Sequence, residues 1–439
     1  MPKSYTALKA LENNLEASLY IHIPFCNSKC SYCDFFSVTD HSLMSDVLDK
    51  TIAQTAQYID YFGIKSIPTV YIGGGTPTSL PLPLLERLLD FVGTLPLSDG
   101  AECTVEANPE TVSPDLLTLL SSSCINRLSL GIQSFSKYTL KILGRHCDFK
   151  TNFAKLELVK SKWHGKLSLD LIASVPHQTV SDSIEDIDTA VSFKPDHISL
   201  YALTLEEGTP LFRLYSGDLD AIDDNVWIIA ADHLEVLGYR RYEVSNFALP
   251  GCQSRHNIRY WKLKPYIGTG AGGVSTLHTG DGDLFRIANV PSLERYLASD
   301  GLLCGAETEE VAGKSYIFEY LMMGLRMTEG IDKSDFRRTF GREITDTIPE
   351  TLSEWKTRGL AVETENSVVL SRQGLLLLNQ FLLDALSELE SWSLIPIASG
   401  TAMHENAAHS LNALAMVKMS LSQPVSVSEI AIVIKSNML

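Results

Sequence analysis

The feature that most constrains the fold is a regular alternation of short β-branched runs with helical patterns between about Leu19 and Ser199. In the intervals between the runs, apolar residues return at three- and four-residue spacing, as they do in amphipathic helices. This alternation is typical of βα units around a parallel sheet. The runs are LYIHI, TVYIGG, CTVEAN, RLSLGIQ, LSLDLIAS and HISLYAL. They predict an α/β fold, a partial TIM-like barrel of six βα units.

Composition narrows the class of protein further. The chain has 439 residues, of which 45% are apolar, so it can form one large domain and a smaller one. The formal net charge of −17 opposes general nucleic-acid binding, because phosphate backbones are repelled. The polar start MPKSYTALKALENNLEAS has no apolar core of a signal peptide, and we therefore expect a cytoplasmic protein.

Changes of pattern along the chain predict its domain organisation. The glycine-rich stretch Gly268–Asp283 resembles a boundary or a close-packed loop. Beyond it the pattern is mainly helical with one hairpin strand, SVVLSRQG, which predicts a winged-helix-like domain. The predicted units are an N-terminal segment 1–18, a barrel 19–275, a linker 276–305, a C-terminal domain 306–388 and a tail 389–439.

Three of the eight cysteines cluster directly after the first predicted strand. Cys26, Cys30 and Cys33 have CxxxCxxC spacing within YIHIPFCNSKCSYCDFF. Three thiolates in one loop can bind three corners of a four-iron cubane and leave one iron open. The alternatives are a three-cysteine zinc site completed by His22 or Asp34, or thiols without a metal.

This cysteine spacing after a first strand resembles the signature of the radical S-adenosylmethionine (SAM) superfamily. The resemblance implies a 4Fe-4S cluster on Cys26, Cys30 and Cys33. It also implies that the open iron binds the amino and carboxylate groups of SAM, whose reductive cleavage yields a 5′-deoxyadenosyl radical.

Polar residues at the ends of the later strands resemble the SAM contacts of one subfamily, the HemN oxygen-independent coproporphyrinogen III oxidases and the HemW haem chaperones. YIGGGTPT resembles the family's glycine motif, with Thr76 where many members have glutamate. The resemblance implies a SAM site formed by Tyr20, Gly74, Gly75, Thr76, Glu106, Gln133, Arg145 and Asp170, with Thr204 as a weaker candidate.

Two features favour the haem-chaperone branch over the oxidases. Phe35 stands where the oxidases have a fourth cysteine. Only nineteen residues precede Tyr20, whereas the oxidases have a longer N-terminal extension that helps to hold their substrate. The segment EVSNFALPGCQSRHNIRYW also resembles the chaperones' HNxxYW motif. Imidazole is a common axial ligand of haem iron, so His256 is the candidate haem ligand, with an ordinary hydrogen-bonding role as the alternative.

Other residues are weaker candidates or depart from the subfamily pattern. His22, His146 and Cys147 lie beside the implied cluster or SAM residues. Ser174 and His177 stand at two positions where relatives usually carry glycine, and Val274 stands where they usually carry histidine. These departures bear on the geometry of the substrate or haem site.

The resulting hypothesis is a radical SAM haem chaperone with cluster, SAM and haem as cofactors. The expected partners are haem, haem-accepting respiratory proteins and an external electron donor. Transient membrane association, oligomerisation and whether SAM is cleaved in the working cycle stay open. The alternatives are an oxygen-independent coproporphyrinogen III oxidase, which converts propionates to vinyl groups, and a radical SAM enzyme acting on RNA.

Overall fold

The computed structural model describes residues 15–391 except residues 281 and 304. Most of the predicted N-terminal segment and nearly all of the predicted tail, including the alternating stretch VSVSEIAIVIK, therefore lie outside the described residues.

Sixteen strands are present in the described part of the chain, and thirteen of them form one sheet. The order in this sheet is β13-β12-β11-β10-β2-β3-β4-β5-β6-β7-β9-β8, with β1 paired to β3. The strands are β1 Leu15–Glu16, β2 Ser18–Ile23, β3 Ile64–Gly74, β4 Leu97–Ala107, β5 Arg127–Gln133, β6 Lys166–Ala173, β7 His197–Ala202, β8 Arg240–Arg241, β9 Asn246–Ala248, β10 Tyr266–Thr269, β11 Val274–His278, β12 Leu284–Ala288, β13 Glu307–Val311, β14 Ile331–Asp332, β15 Ala361–Glu363 and β16 Ser367–Leu370.

Helices alternate with the strands of the first half and dominate the C-terminal region. Several begin at residues whose side chains accept a backbone N–H, such as Ser113 and the Thr179–Asp182 capping box. No helix of the described residues combines the length and apolarity needed to cross a bilayer. The helices are α1 Met44–Tyr61, α2 Leu82–Gly93, α3 Pro114–Ser122, α4 Lys137–Ile142, α5 Phe149–Lys162, α6 Val180–Ser192, α7 Pro210–Tyr215, α8 Asp224–Val236, α9 Arg255–Trp261, α10 Leu293–Ala298, α11 Gly313–Gly324, α12 Lys333–Phe340, α13 Ile344–Thr347, α14 Pro349–Thr357, α15 Arg372–Leu376 and α16 Leu378–Ser391.

The six strands predicted from the sequence are β2 to β7, and each pairs in parallel with the next. Their apolar runs are continuous because a parallel sheet covered by helices buries both faces; six of the seven residues of β5 are buried. The predicted α/β class is confirmed. Since the carboxyl ends of parallel strands meet at one edge, the polar residues that end these strands are brought together.

The glycine-rich stretch is close-packed and lies inside the large sheet. It contains the end of β10, which pairs in parallel with β2, and all of β11, which returns antiparallel to β10. A β-carbon on Gly268 would lie 2.0 Å from the carbonyl oxygen of Val274, so this turn requires glycine there. The segment 276–305, predicted as a linker, contains β12 and α10, and β12 pairs with both β11 and β13.

A second apolar core lies mainly between residues 311 and 389, formed by the helices from α11 onward and a three-stranded sheet in the order β14-β16-β15. The predicted hairpin strand is β16, antiparallel to β15. Val244, Trp261 and Leu263 join this core, so the C-terminal region packs directly on the segment around α9. The winged-helix comparison and the domain bounds stay predictions.

Two residues noted as departures from glycine have left-handed backbone conformations. Ser174 has φ 57° and His177 has φ 61°, a region that strains most side chains. Ser174 is buried, and its hydroxyl donates to the carbonyl of Asp223 (2.8 Å) and accepts from the backbone N–H of Trp227 (3.2 Å). His177 is exposed and contacts only the edge of Tyr215 among aromatic rings. At Ser174 two buried hydrogen bonds of the hydroxyl therefore offset the backbone strain, whereas at His177 the exposed side chain adds only a ring contact.

These two sites give opposite predictions for glycine substitution. His177→Gly relieves backbone strain and should raise the free energy of unfolding by about 0.5–1 kcal/mol. Ser174→Gly removes two buried hydrogen bonds and should lower it by about 1 kcal/mol. Urea denaturation followed by circular dichroism measures both, with His177→Ala as the control that removes the ring and keeps the strain. Stabilisation by Ser174→Gly together with destabilisation by His177→Gly would contradict this account.

Candidate functional site

A single cavity of about 360 Å³ lies at the carboxyl ends of the parallel strands. Every residue that the sequence assigned to the cluster, to SAM or to haem lines it. These residues are Cys26, Cys30, Cys33, Tyr20, Gly74, Gly75, Thr76, Glu106, Gln133, Arg145, Asp170, Thr204 and His256. The structure thus brings together side chains separated by up to 236 residues in the sequence, from Tyr20 to His256.

The cysteine loop follows β2 and is held by backbone hydrogen bonds at several points. The N–H of Cys26 donates to the carbonyl of Val38 (2.9 Å), and the N–H of Ser31 donates to the carbonyl of Leu143 (3.0 Å). The carbonyl of Ser31 accepts from the N–H of Leu211 (2.9 Å). These contacts fix both ends and the middle of the loop, so the three thiols keep one wall of the cavity.

The chemistry around the three thiols fits a metal–sulfur cluster. None of the three cysteines forms a disulfide with another described cysteine, and each is partly exposed. Arg145 Nη1 donates to Cys30 Sγ at 3.4 Å, and Thr76 Oγ1 lies 3.6 Å from Cys26 Sγ. A guanidinium and a hydroxyl beside thiolate sulfurs stabilise their negative charge. No group of three or more His, Cys, Asp or Glu side chains in residues 15–391, without 281 and 304, is arranged to hold a single metal ion.

His22 has a structural role next to the cysteine loop, because both of its ring nitrogens form hydrogen bonds within the protein. Its Nε2–H donates to the carbonyl of Phe36 (3.0 Å), so Nδ1 accepts from the Tyr20 hydroxyl (3.0 Å). Burial lowers the pKa of His22 to about 4, which keeps the ring neutral. A β-carbon on Gly74, whose φ is +104°, would lie 2.4 Å from this ring. The glycine motif is thus needed where β3 passes the histidine.

Glu106 is the last but one residue of β4, and its side chain links β4 to the neighbouring strand β3 in the cavity wall. Its carboxylate accepts from the Tyr71 hydroxyl (2.7 Å) and from the backbone N–H of Gly74 (3.2 Å). Burial raises the pKa of Glu106 to about 7, and the carboxylate of Asp170 adds to this effect. The carboxyl group is therefore close to half ionised at neutral pH.

Asp170 on β6 is the second acidic group of the wall. The Ser129 hydroxyl from the neighbouring strand β5 lies 3.3 and 3.2 Å from its two carboxylate oxygens. Burial raises the pKa of Asp170 to about 6, although these hydroxyl bonds oppose the rise. Gln133 ends β5 with φ 67°, at an irregularity in the pairing with β6.

Asn108 was missed by the sequence analysis, although it directly follows β4 in the quoted TVEANPE. Its Nδ2 donates to Thr76 Oγ1 (2.8 Å), and its Oδ1 accepts from Arg145 Nη2 (2.8 Å). Arg145 Nη2 also donates to the carbonyl of Gly131 (2.9 Å). Asn108 thereby fixes the arginine that contacts Cys30, and its position at a strand end was the available signal.

His256 lies on α9 and has hydrogen bonds at both ring nitrogens. Thr69 donates its hydroxyl proton to Ser18 Oγ (2.8 Å), so it accepts from His256 Nδ1–H (2.8 Å). Nε2 then accepts from the Tyr260 hydroxyl (2.9 Å). Burial lowers the pKa of His256 to about 3, so the ring is neutral. Haem ligation by His256 stays a prediction, and it requires the Tyr260 hydroxyl to leave Nε2.

Two of the weaker candidates, His146 and Cys147, lie away from the cavity lining. His146 is exposed, and Cys147 is buried with its thiol donating to Glu110 Oε2 (3.1 Å). Burial and this carboxylate raise the pKa of Cys147 to about 12, so the thiol stays protonated. Val274 is buried in β11.

Family models match two segments of the chain. Residues 20–190 match the radical SAM superfamily, and residues 311–377 match the HemN C-terminal domain. In three dimensions the chain resembles coproporphyrinogen III oxidase (HemN) from Escherichia coli with a TM-score of 0.71 at 21% sequence identity, over 87% of this chain and 92% of that one. The fold is thus that of a radical SAM protein.

Curated relatives place the chain within this class. It is 34% identical to "Heme chaperone HemW" of Bacillus subtilis, over 83% of this chain and 97% of the relative. The protein of the same name in Escherichia coli is 33% identical, over 83% and 97% respectively. The chain therefore belongs to the HemW family of radical SAM proteins. Membership in the radical SAM superfamily implies SAM and a 4Fe-4S cluster.

The raised pKa of Glu106 predicts a pH dependence of stability. Between pH 4.5 and 7 the folded protein keeps a proton on Glu106 that the unfolded chain releases, so rising pH destabilises the fold across this window. Glu106→Gln removes this titration and keeps the shape. From pH 5.5 to 7.5 the wild type should lose about 1–3 kcal/mol more unfolding free energy than the variant, measured by urea denaturation. Equal losses would contradict the assignment.

Proposed function

We propose that this chain is a haem chaperone that binds haem beside a cluster-and-SAM site and passes it to an acceptor protein. The observation that carries the proposal is the match to relatives named "Heme chaperone HemW" over nearly their whole length. The cavity adds support because one wall is aromatic: Tyr71 stacks on His256 with ring centroids 5.2 Å apart, and Tyr260 meets the same ring edge-on at 4.7 Å. Aromatic faces of this kind pack well against a porphyrin.

Within this proposal, Cys26, Cys30 and Cys33 hold the cluster, and the polar strand ends hold SAM. When bound, the cluster supplies an electron for cleavage of the SAM sulfonium bond. The contribution of the chain is positional. Arg145 is fixed by Asn108 and donates to the sulfur of Cys30, while Glu106 and Asp170 offer acceptors to hydroxyl and amino groups.

His256 is the proposed haem ligand, and Tyr260 is the hydrogen-bond partner that haem iron would displace from it. A neutral imidazole is the form that binds iron, and burial keeps His256 neutral. In this structure the lone pair of Nε2 accepts the Tyr260 hydroxyl. Haem binding then requires one exchange, in which iron replaces that hydroxyl.

This exchange predicts opposite effects for two substitutions on α9. Haem added anaerobically to the full-length protein should give a Soret band that is lost or moved in His256→Ala. Tyr260→Phe uncaps Nε2 and should tighten haem binding about fivefold, because one hydrogen bond of about 1 kcal/mol no longer competes. His146→Ala, an exposed histidine outside the cavity, is the matched control. A band unchanged in position and affinity in His256→Ala would exclude this ligand.

The oxidase alternative has weaker support. The likeness to HemN at 21% identity concerns the fold, which both functions share. Phe35, at the position of the oxidases' fourth cysteine, lines the cavity. Anaerobic turnover of coproporphyrinogen III to protoporphyrinogen IX, assayed beside the haem titration, would establish the oxidase and displace the chaperone proposal.

A further inference from the structure

The cavity extends beyond the residues assigned to the cluster and to SAM. Its remaining wall includes the segment from β8 to β9 and the end of α9. Arg241, Glu243, Asn246 and Trp261 line this part, and none of them belongs to the implied SAM or cluster set. We call these four residues the basic wall, after the guanidinium group of Arg241.

Arg241 is held rigidly at the basic wall. Its Nε donates to the carbonyl of Glu243 (3.1 Å), and its Nη2 donates to the carbonyl of Val244 (2.7 Å). The guanidinium carbon lies 4.8 Å from the ring centroid of Trp227. Within the described part of the chain this guanidinium forms no ion pair with a carboxylate. A fixed guanidinium without a carboxylate partner in a ligand cavity is preorganised for an anion.

Buried polar atoms at the same wall also have no partner among the described residues. Trp261 is 4% exposed and its Nε1–H makes no hydrogen bond. Arg326, fully buried behind it, has its guanidinium 5.7 Å from the Trp261 ring and leaves Nε and Nη2 without acceptors. Native proteins rarely leave such groups unsatisfied. At the same wall Glu243 Oε1 and Asn246 Oδ1 are acceptors without a partner in the described part of the chain, so the wall offers a polar ligand both donors and acceptors.

Glu243 is the one carboxyl group of the basic wall. Its negative charge does not balance the positive charges of Arg241 at the wall and Arg326 behind it. Its Oε2 accepts from the N–H of Ser245 (3.3 Å), while Oε1 has no partner in the described residues. Burial raises the pKa of Glu243 to about 7, although Arg241 and Arg326 oppose the rise. The guanidinium of Arg241 at the wall and that of Arg326 behind it therefore outnumber the single, partly protonated carboxyl group of the wall, and this balance favours an anionic acceptor.

We propose that Arg241 and the Trp261 Nε1–H form a carboxylate-binding subsite at the end of the cavity, which holds a propionate of the bound tetrapyrrole. The guanidinium offers a charge-assisted bond in the planar geometry that carboxylates prefer, and the indole adds one N–H donor. This inference rests on the proposed haem function. It extends the site from the histidine motif, which contains Trp261, to Arg241 on β8, since a propionate at the basic wall fixes which edge of the porphyrin enters the cavity.

The test compares haem with haem dimethyl ester, in which both propionates are uncharged. Soret titrations on the full-length protein with its reconstituted cluster give both affinities for wild type, Arg241→Gln and Arg240→Gln. Arg240 is exposed and outside the cavity lining, so it is the matched charge control. Wild type should bind haem at least about tenfold more tightly than the ester, as expected for a charge-assisted bond of about 1.5–3 kcal/mol.

Arg241→Gln should reduce haem affinity about tenfold and leave ester affinity unchanged, whereas Arg240→Gln should alter neither. Equal affinity of the wild type for haem and ester would overturn the subsite, and this arm does not require any variant to fold. Equal weakening of both ligands by Arg241→Gln would also overturn it, because a structural role acts on both. If wild type bound neither ligand, the haem function itself would fail, which is a distinct outcome.

Discussion

The structure depends on one geometric constraint: the carboxyl ends of six parallel strands meet at a single edge of the sheet. The first of these strands leads into the cysteine loop. On later strands Glu106 and Gln133 lie at or next to the carboxyl end, and Asp170 lies three residues before it. No local motif could bring these groups together. Their convergence follows from the burial of both faces of the sheet, which fixes the strand register and thereby the position of each terminal side chain.

A continuous set of polar contacts then fixes the site without a ligand. Asn108 joins Thr76 to Arg145, and Arg145 reaches the sulfur of Cys30. On another side, buried Glu102 faces Arg127 at 3.5 Å and accepts the backbone N–H of His256 at 3.1 Å. The hydrogen bond to Glu102 thus attaches the helix that carries His256 to β4, in the same sheet whose strand β2 leads into the cysteine loop. A rigid site of this kind limits the reorganisation needed when a ligand binds.

Sequence patterns predicted the central strands closely, and RLSLGIQ coincides with β5 from Arg127 to Gln133. This success has a physical reason, since a strand buried on both faces must be continuously apolar. The places of Glu106 and Gln133 near strand ends could be predicted for the same reason, whereas the roles of the cysteines and of the SAM residues rest on a family resemblance. The edge strands of the sheet were harder to predict. β8 and β9 are only two and three residues long, and the glycine-rich stretch, predicted as a boundary or a close-packed loop, contains the end of β10 and all of β11. Side-chain partners such as those of His256 depend on packing between distant segments, which periodicity does not encode.

The central claim is that Cys26, Cys30 and Cys33 hold a cubane that leaves one iron for SAM. Mössbauer and electron paramagnetic resonance spectra of anaerobically reconstituted protein test it most directly. The account predicts a 4Fe-4S cluster whose reduced signal shifts when SAM is added, present in Cys252→Ala and absent when the trio is replaced by alanine. Spectra without a cubane, or a cubane that survives loss of the trio, would contradict it.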